Sequence, residues 1–244
     1  MTHINLELVA TDAAAAVKRQ DITVIVDVLR ASSTIVTALA SGAQAVMPLR
    51  NVEEARRMKR ANPEYVLAGE RGGLRPRGFD LGNSPLEYTR ERVENKGILL
   101  TTSSGTQALA AAKEAPVTVV GSFLNAAAVS YVVKQLSKEK ELGITIALSG
   151  KRGKFSLEDF LCGGALVARL RKDTDRCSDT AWAAYLSYQA SERRLLNTIL
   201  MGDHAKELVG LGLSEDVRFC STLDRYLVVP VLESGWLVEM KQSN

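Results

Sequence analysis

Residues 69–88 read GERGGLRPRGFDLGNSPLEY and hold a dense set of chemically capable side chains. Four glycines lie between Gly69 and Gly78, with a fifth at Gly82. Arg71, Arg75 and Arg77 sit beside Glu70 and Asp80, and Asn83-Ser84-Pro85 follow. A long loop in a compact domain is usually functional or disordered. Strand-like runs flank this one, and Phe79 and Leu81 give it apolar anchors, so order is the better reading. Guanidinium forks and glycine amides suit a doubly charged anion. Two carboxylates in the same loop repel that anion unless a divalent cation lies between them. The loop therefore reads as an Mg²⁺-dependent site for a phosphorylated or otherwise polyanionic small molecule.

Asp27 ends an apolar run and precedes Arg30, Ser32 and Ser33. That placement suits a metal ligand or a phosphoryl-accepting nucleophile. A helix cap or a partner for Arg30 is an equally ordinary role. The following cation, hydroxyls and helix start favour phosphate. Thr101–Thr106, TTSSGT, offers hydroxyls and amides at a second helix start, with Ser104, Gly105 and Thr106 as anion contacts. It lacks the lysine of a Walker loop, so a nucleoside triphosphate is not supported. Asn125 reads as a helix cap and a candidate substrate contact. Glu158 and Asp159 suit the first turn of a helix, and Asp159 at a strand end is a third metal candidate.

Other phosphatase chemistries fail on counts and spacing. His3 and His204 are too few for a histidine nucleophile or a His-rich zinc site. A phosphate-binding cysteine needs Cys-x₅-Arg; Cys162 to Arg169 is one residue too long and Cys220 to Arg225 one too short. Asp27-Val28-Leu29 lacks the second acid of an Asp-x-Asp motif.

Regular elements must hold these groups. The run 22–26 reads as a strand buried on both faces, as in a parallel sheet, and Ser32 or Ser33 caps the helix that Gly42 stops. Strands are expected at 3–9, 43–49, 64–69, 98–101, 117–121 and 144–150, with helices after most of them. Asp12 is expected to cap a short helix, Ser84-Pro85 to start another, and Ser156 to cap a third. Residues 178–210 read as helical, and YLVVPVL and WLVEM flank Glu233-Ser234-Gly235 as a hairpin. The strand–turn–helix units put the polar segments at carboxyl ends of strands, where open α/β sheets bind ligands.

The bulk numbers agree. The 244 residues are 46% hydrophobic, enough for one α/β domain over 1–244, with two sub-lobes dividing near residue 140 as the alternative. A net charge of +3 and 5% aromatics disfavour nucleic acid. Three scattered cysteines point to a reducing compartment. No apolar run of about 18 residues and no signal-peptide pattern is present, so a cytoplasmic protein without membrane contact is expected. A homodimer is left open.

VDVLRASSTI, GERGG…GFDLGNSP, LLTTSSGTQAL and SLEDFLCGG, in this order, resemble the 2-phosphosulfolactate phosphatase family, with FCSTLDRYLVVP extending the match to the C-terminal region. GER-x₆-GFD-x-GNSP is the specific part. The resemblance implies a three-layer α/β/α fold and an Mg²⁺-dependent acid phosphatase. It also implies a substrate with a phosphate ester beside a carboxylate and a sulfonate, as in coenzyme M or sulfolactate metabolism. Ser104-Gly105 stands where Asn-Gly is expected in that family. On this reading Asp27 and Glu70 hold Mg²⁺, and Arg30, Arg71 and the Ser104–Thr106 amides hold the phosphoryl group. Arg75 and Arg77 reach the second acid, Asp80 activates water or attacks, and Asn83 and Ser84 orient loop or substrate. The alternative is a catalytically silent anion-binding domain for a phosphorylated metabolite.

Overall fold

The computed structural model describes residues 2–171 and 176–241. The chain begins with β1 (His3–Glu7), α1 (Ala14–Arg19), β2 (Ile22–Val26), α2 (Ala31–Ala40), β3 (Ala45–Pro48), α3 (Val52–Ala61) and β4 (Val66–Gly69). After the glycine-rich loop come α4 (Arg90–Val93), β5 (Gly97–Thr101), α5 (Gly105–Ala111), β6 (Val117–Gly121), α6 (Ala126–Lys140) and β7 (Ile144–Leu148). The last part is α7 (Leu157–Leu170), β8 (Arg176–Cys177), α8 (Asp179–Ser191), α9 (Leu195–Ile199), α10 (Asp203–Gly210), α11 (Ser214–Cys220), β9 (Pro230–Glu233) and β10 (Trp236–Glu239).

The described strands form one sheet in the order β4-β5-β3-β10-β9-β6-β2-β7-β1-β8. The expected α/β class is borne out, and the sheet is mixed. The C-terminal hairpin β9–β10 enters its middle, antiparallel to β3 and β6, and separates two parallel halves. Ser234 and Gly235, both at positive φ, make the tight turn that joins those strands.

Alternation along the strands explains the layers. Val24 and Val26 of β2 and Ile146 and Leu148 of β7 pack with Val129 and Val133 of α6 and Leu161 and Ala165 of α7. Ile25 and Ala147 point the other way, onto Ile35 and Leu39 of α2 and Leu109 of α5. In the other half, Leu67 and Leu99 pack with Ala55 of α3 and with Phe79 from the glycine-rich loop. Both faces are covered, so β2, β5 and β7 are buried throughout and read as unbroken apolar runs.

The helix starts differ from the expected caps. No side chain caps α1, so Asp12 has no such role. Ser32 and Ser33 lie inside α2, and the Asp27 carboxylate takes the Ala31 N–H from outside the helix. Pro85 opens a single turn of 3₁₀ helix, Pro85–Glu87, and Ser84 makes no capping bond. Ser156 and Asn125 precede α7 and α6 without capping them by a side chain. Among the described residues, no helix is long and apolar enough to cross a membrane.

Candidate active site

A cavity of about 60 Å³ opens where β2, β4, β5 and β7 end. Asp27, Leu29 and Arg30 come from the turn after β2, and Glu70, Gly72, Gly73 and Asn83 from the glycine-rich loop. Thr102, Ser103 and Ser104 follow β5, Gly150, Lys151 and Arg152 follow β7, and His204, Glu207 and Leu208 come from α10. The expected strand-end location is therefore where acids, cations and hydroxyls meet.

Local bonding fixes Asp27 before any ligand arrives. Its N–H donates to Ser32 Oγ at 2.8 Å, and its Oδ1 accepts from Ala31 N–H at 3.1 Å. Ser33 Oγ donates to the Val28 carbonyl at 2.9 Å. The two serines hold the turn and do not line the cavity. Burial pushes the Asp27 carboxyl up to about 6, against the lowering effects of His204 and the Ala31 N–H, while Glu70 and Glu158 add to the rise. Gly105 admits the approach of α5, because a Cβ there would lie 2.6 Å from Ala31 Cβ and 2.9 Å from Asp27 Oδ2.

Glu70 works as a brace. Its Oε1 accepts from Ser103 N–H at 2.8 Å and its Oε2 from Gly73 N–H at 2.9 Å, tying the ends of β4 and β5 to the loop. Gly69 makes this junction possible at φ 143°, where a Cβ would stand 2.0 Å from the Thr101 carbonyl oxygen. Asp159 lies outside the cavity lining. Its two oxygens accept from Val28 N–H at 2.7 Å and Gly150 N–H at 3.1 Å, so it staples β2 to β7. Burial, with the charges of Glu158 and Asp27, raises its carboxyl well above the ordinary range. It therefore stands behind the oxygens that line the cavity, where Glu70, bonded in a similar way, is among them.

The oxygen set suits Mg²⁺. Asn83 is buried, lines the cavity, and leaves Oδ1 without a partner. A buried orphan acceptor costs about 1–3 kcal/mol, which a ligand in the cavity offsets. Asp27 Oδ2, Glu70 and Asn83 Oδ1 are all hard oxygens. Among the described residues, no cluster of three or more His, Cys, Asp or Glu side chains is arranged around a metal. Mg²⁺ asks for less, namely one or two carboxylates completed by waters and substrate phosphate.

A family model described as 2-phosphosulpholactate phosphatase matches residues 9–235. The chain belongs to that family. A relative from Thermotoga petrophila, named probable 2-phosphosulfolactate phosphatase, is 43% identical over 212 residues, covering 87% of this chain and 89% of its own. One of the same name from a Synechococcus strain is 40% identical over 223 residues, covering 87% and 91%.

For this family member, the loop arginines lie elsewhere than expected. Arg71 donates to the Glu70 carbonyl at 2.5 Å and to Thr101 Oγ1 at 2.9 Å, bracing two strand ends. Arg75 is exposed, 3.3 Å from the Asp80 carbonyl and 3.8 Å from Glu87. Arg77 is exposed too, and its carbonyl accepts from Arg56 at 3.0 Å. Asp80 pairs with Lys59 at 3.3 Å and accepts from Leu67 N–H at 2.8 Å, closing the loop onto β4. None of the four lines the cavity. The same holds for Thr106, which bonds back to the Thr102 carbonyl, and for Ser84, whose Oγ donates to Asp216 at 2.6 Å. Asn125 is fully buried, accepting from Ser122 N–H and donating to the Val120 and Val228 carbonyls.

Lys151 and Arg152 line the cavity that the loop arginines do not reach. They sit on a tight turn closed by the Lys151–Lys154 bridge, and Glu207 holds both. The hydrogen bond from Lys151 is the main reason the Glu207 carboxyl lies below its ordinary range. KRGK after a strand was the available signal, although glycine there reads as flexibility. Asp216 of α11 binds Arg30 at 2.5 Å, both side chains being buried, and no spacing in the sequence points to it. Cys162 and Cys220 are buried and do not line the cavity. Burial pushes Cys220 up to about 12 and raises Cys162 well above its ordinary value.

Proposed function

We propose that this family member is an Mg²⁺-dependent phosphatase that hydrolyses the phosphate ester of 2-phosphosulfolactate or a related 2-phospho-carboxylic acid. The observation that carries the reading is the cavity itself, which brings Asp27, Glu70 and Asn83 together with the cations Arg30, Lys151 and Arg152. A dianionic phosphoryl group needs such neutralisation, and its transfer depends on charge stabilisation and in-line positioning more than on covalent chemistry. Asp27 Oδ2 and Asn83 Oδ1 would hold Mg²⁺ with Glu70 beside them. Bound there, the ion would neutralise phosphoryl charge and act as a Lewis acid. Arg30 is held rigidly by Asp216 and by the Gly73 carbonyl at 2.5 Å, which suits the reacting centre, where small displacements are costly. Lys151 and Arg152 stand on a surface turn at the rim and would take the carboxylate or sulfonate.

Phosphate release from 2-phosphosulfolactate tests the reading. EDTA should abolish it and added Mg²⁺ restore it. Full turnover in a verified metal-free preparation would show the metal assignment to be wrong, and no release with Mg²⁺ present would sink the phosphatase reading.

The cation assignment has its own test. An arginine–carboxylate contact is worth roughly 1.5–3 kcal/mol, so Arg152→Ala should raise KM for doubly acidic substrates about ten- to a hundredfold. Simple phosphomonoesters should be spared, and Arg75→Ala and Arg77→Ala should be near neutral on both. Steady-state kinetics on the three variants decides it. A selective effect at Arg75 or Arg77 returns the role to the loop.

A further inference from the structure

We propose that His204, oriented by Glu158, is the acid that protonates the leaving oxygen; this deepens the phosphatase reading and rests on it. His204 lines the cavity with Asp27, Arg30 and Asn83. Its Nδ1 lies 2.8 Å from Glu158 Oε1, and the Glu158 side chain is 1% exposed. A carboxylate on one ring nitrogen fixes the orientation and tautomer of an imidazole. With Nδ1 engaged, Nε2 is the nitrogen left to act in the cavity. The charged groups around the ring are Glu158 from α7, Asp27 from the turn after β2, Glu207 on α10 itself and Lys151 from the turn after β7. An anchor between α7 and α10 is the plain alternative. Such an anchor does not require the ring to face the cavity that also holds Asp27.

Water oxygen bonds to phosphorus while the ester P–O bond breaks, and that bond's electron pair stays on the ester oxygen. This oxygen takes the proton from His204 Nε2 and leaves as the alcohol. The attacking water, in line on the far side of phosphorus, sheds its proton to solvent, and the imidazole takes one back from solvent before the next turnover, so water's H and OH end on alcohol and phosphate. In a loose transition state the leaving oxygen carries much charge. An alkyl ester therefore needs the proton, whereas an aryl ester that leaves as a stable phenolate does not.

The experiment compares 2-phosphosulfolactate with 4-nitrophenyl phosphate, under Mg²⁺, in wild type, His204→Gln and Glu158→Gln, with thermal melts to confirm folding. For His204→Gln, kcat on the alkyl ester should fall about a hundredfold or more, in the range of general acid catalysis, while the aryl ester loses less than about tenfold. Glu158→Gln, in which Oε1 remains for the ring, should show the same selectivity with a smaller loss, and it carries the comparison if His204→Gln does not fold. Equal losses on the two esters, or none, overturn the proposal. Wild type that hydrolyses neither ester overturns the phosphatase reading instead.

Discussion

Asp27→Asn should cost about a thousandfold in turnover, roughly 4 kcal/mol of transition-state stabilisation, and yet stabilise the metal-free protein at pH 8. Both effects come from one buried carboxyl. Its oxygen is a central donor in the cavity, and losing its charge removes the main electrostatic reason for a cation to bind there. Its pKa is raised from 3.8 to about 6, first of all by burial. A group with a raised folded-state value binds its proton more tightly in the native than in the unfolded chain. The native state is therefore favoured below about pH 4, and the advantage is lost as pH rises through about 6. At pH 8 the ionised carboxylate costs about 3 kcal/mol in the absence of metal. Asparagine keeps an Oδ1 for the Ala31 N–H without that charge. Calorimetry in EDTA should find a midpoint several degrees above wild type at pH 8, with the gain vanishing near pH 4. A lower midpoint at pH 8 would contradict the assignment.

Arg30→Ala should be the most destabilising single change in the site. The guanidinium is 3% exposed and lies 2.5 Å from Asp216, whose own side chain is 4% exposed. Asp216 also accepts from Ser84 Oγ at 2.6 Å, and the second arm of Arg30 reaches the Gly73 carbonyl. One side chain thus joins α2, α11 and both ends of the glycine-rich loop. Removing one partner of a buried pair leaves an uncompensated charge, which costs about 3–5 kcal/mol. Arg30→Lys should recover little, because a single ammonium cannot reproduce a fork that serves both Asp216 and a carbonyl. Replacing Arg30 and Asp216 together by apolar residues should recover most of the loss. Urea unfolding measures all three, and a loss below about 1 kcal/mol for Arg30→Ala would show the pair to be dispensable.

The layers and the site edge were legible because buried parallel strands write themselves as apolar runs. Ile22–Val26, Gly97–Thr101 and Ile144–Leu148 are buried on both faces, and the polar residues just after them are fixed to the same edge of the sheet. Asp27, Arg30, Glu70 and Ser104 lie within a few residues of strand ends, which sets them on one edge of the sheet, but β2 and β5 are separated in the sheet by four strands and nothing in the sequence says that their loops share one cavity. Side-chain direction in a loop is not written there either. Arg71, Arg75 and Arg77 look alike in sequence, yet one braces Thr101, one lies against Asp80 and Glu87, and one faces solvent. Residues from the late helices were beyond reach for another reason. Asp216 is separated from Arg30 by 186 positions, and Glu158 from His204 by 46, without a periodicity to connect them. Three of the capping misreadings share one cause. At Ser32, Ser33 and Asn125 the short polar side chains bond to strand-end backbone instead of the helix N–H groups.

Diffraction from crystals grown with Mg²⁺ and orthovanadate tests the central claim most directly, since vanadate occupies the place of a transferring phosphoryl group. The account predicts vanadate in the cavity beside Arg30, with Mg²⁺ on Asp27 Oδ2 and Asn83 Oδ1 and with Lys151 and Arg152 at the open rim. Vanadate bound instead beside Arg75, Arg77 and Asp80, or a cavity empty of both ions at saturating concentrations, would contradict it.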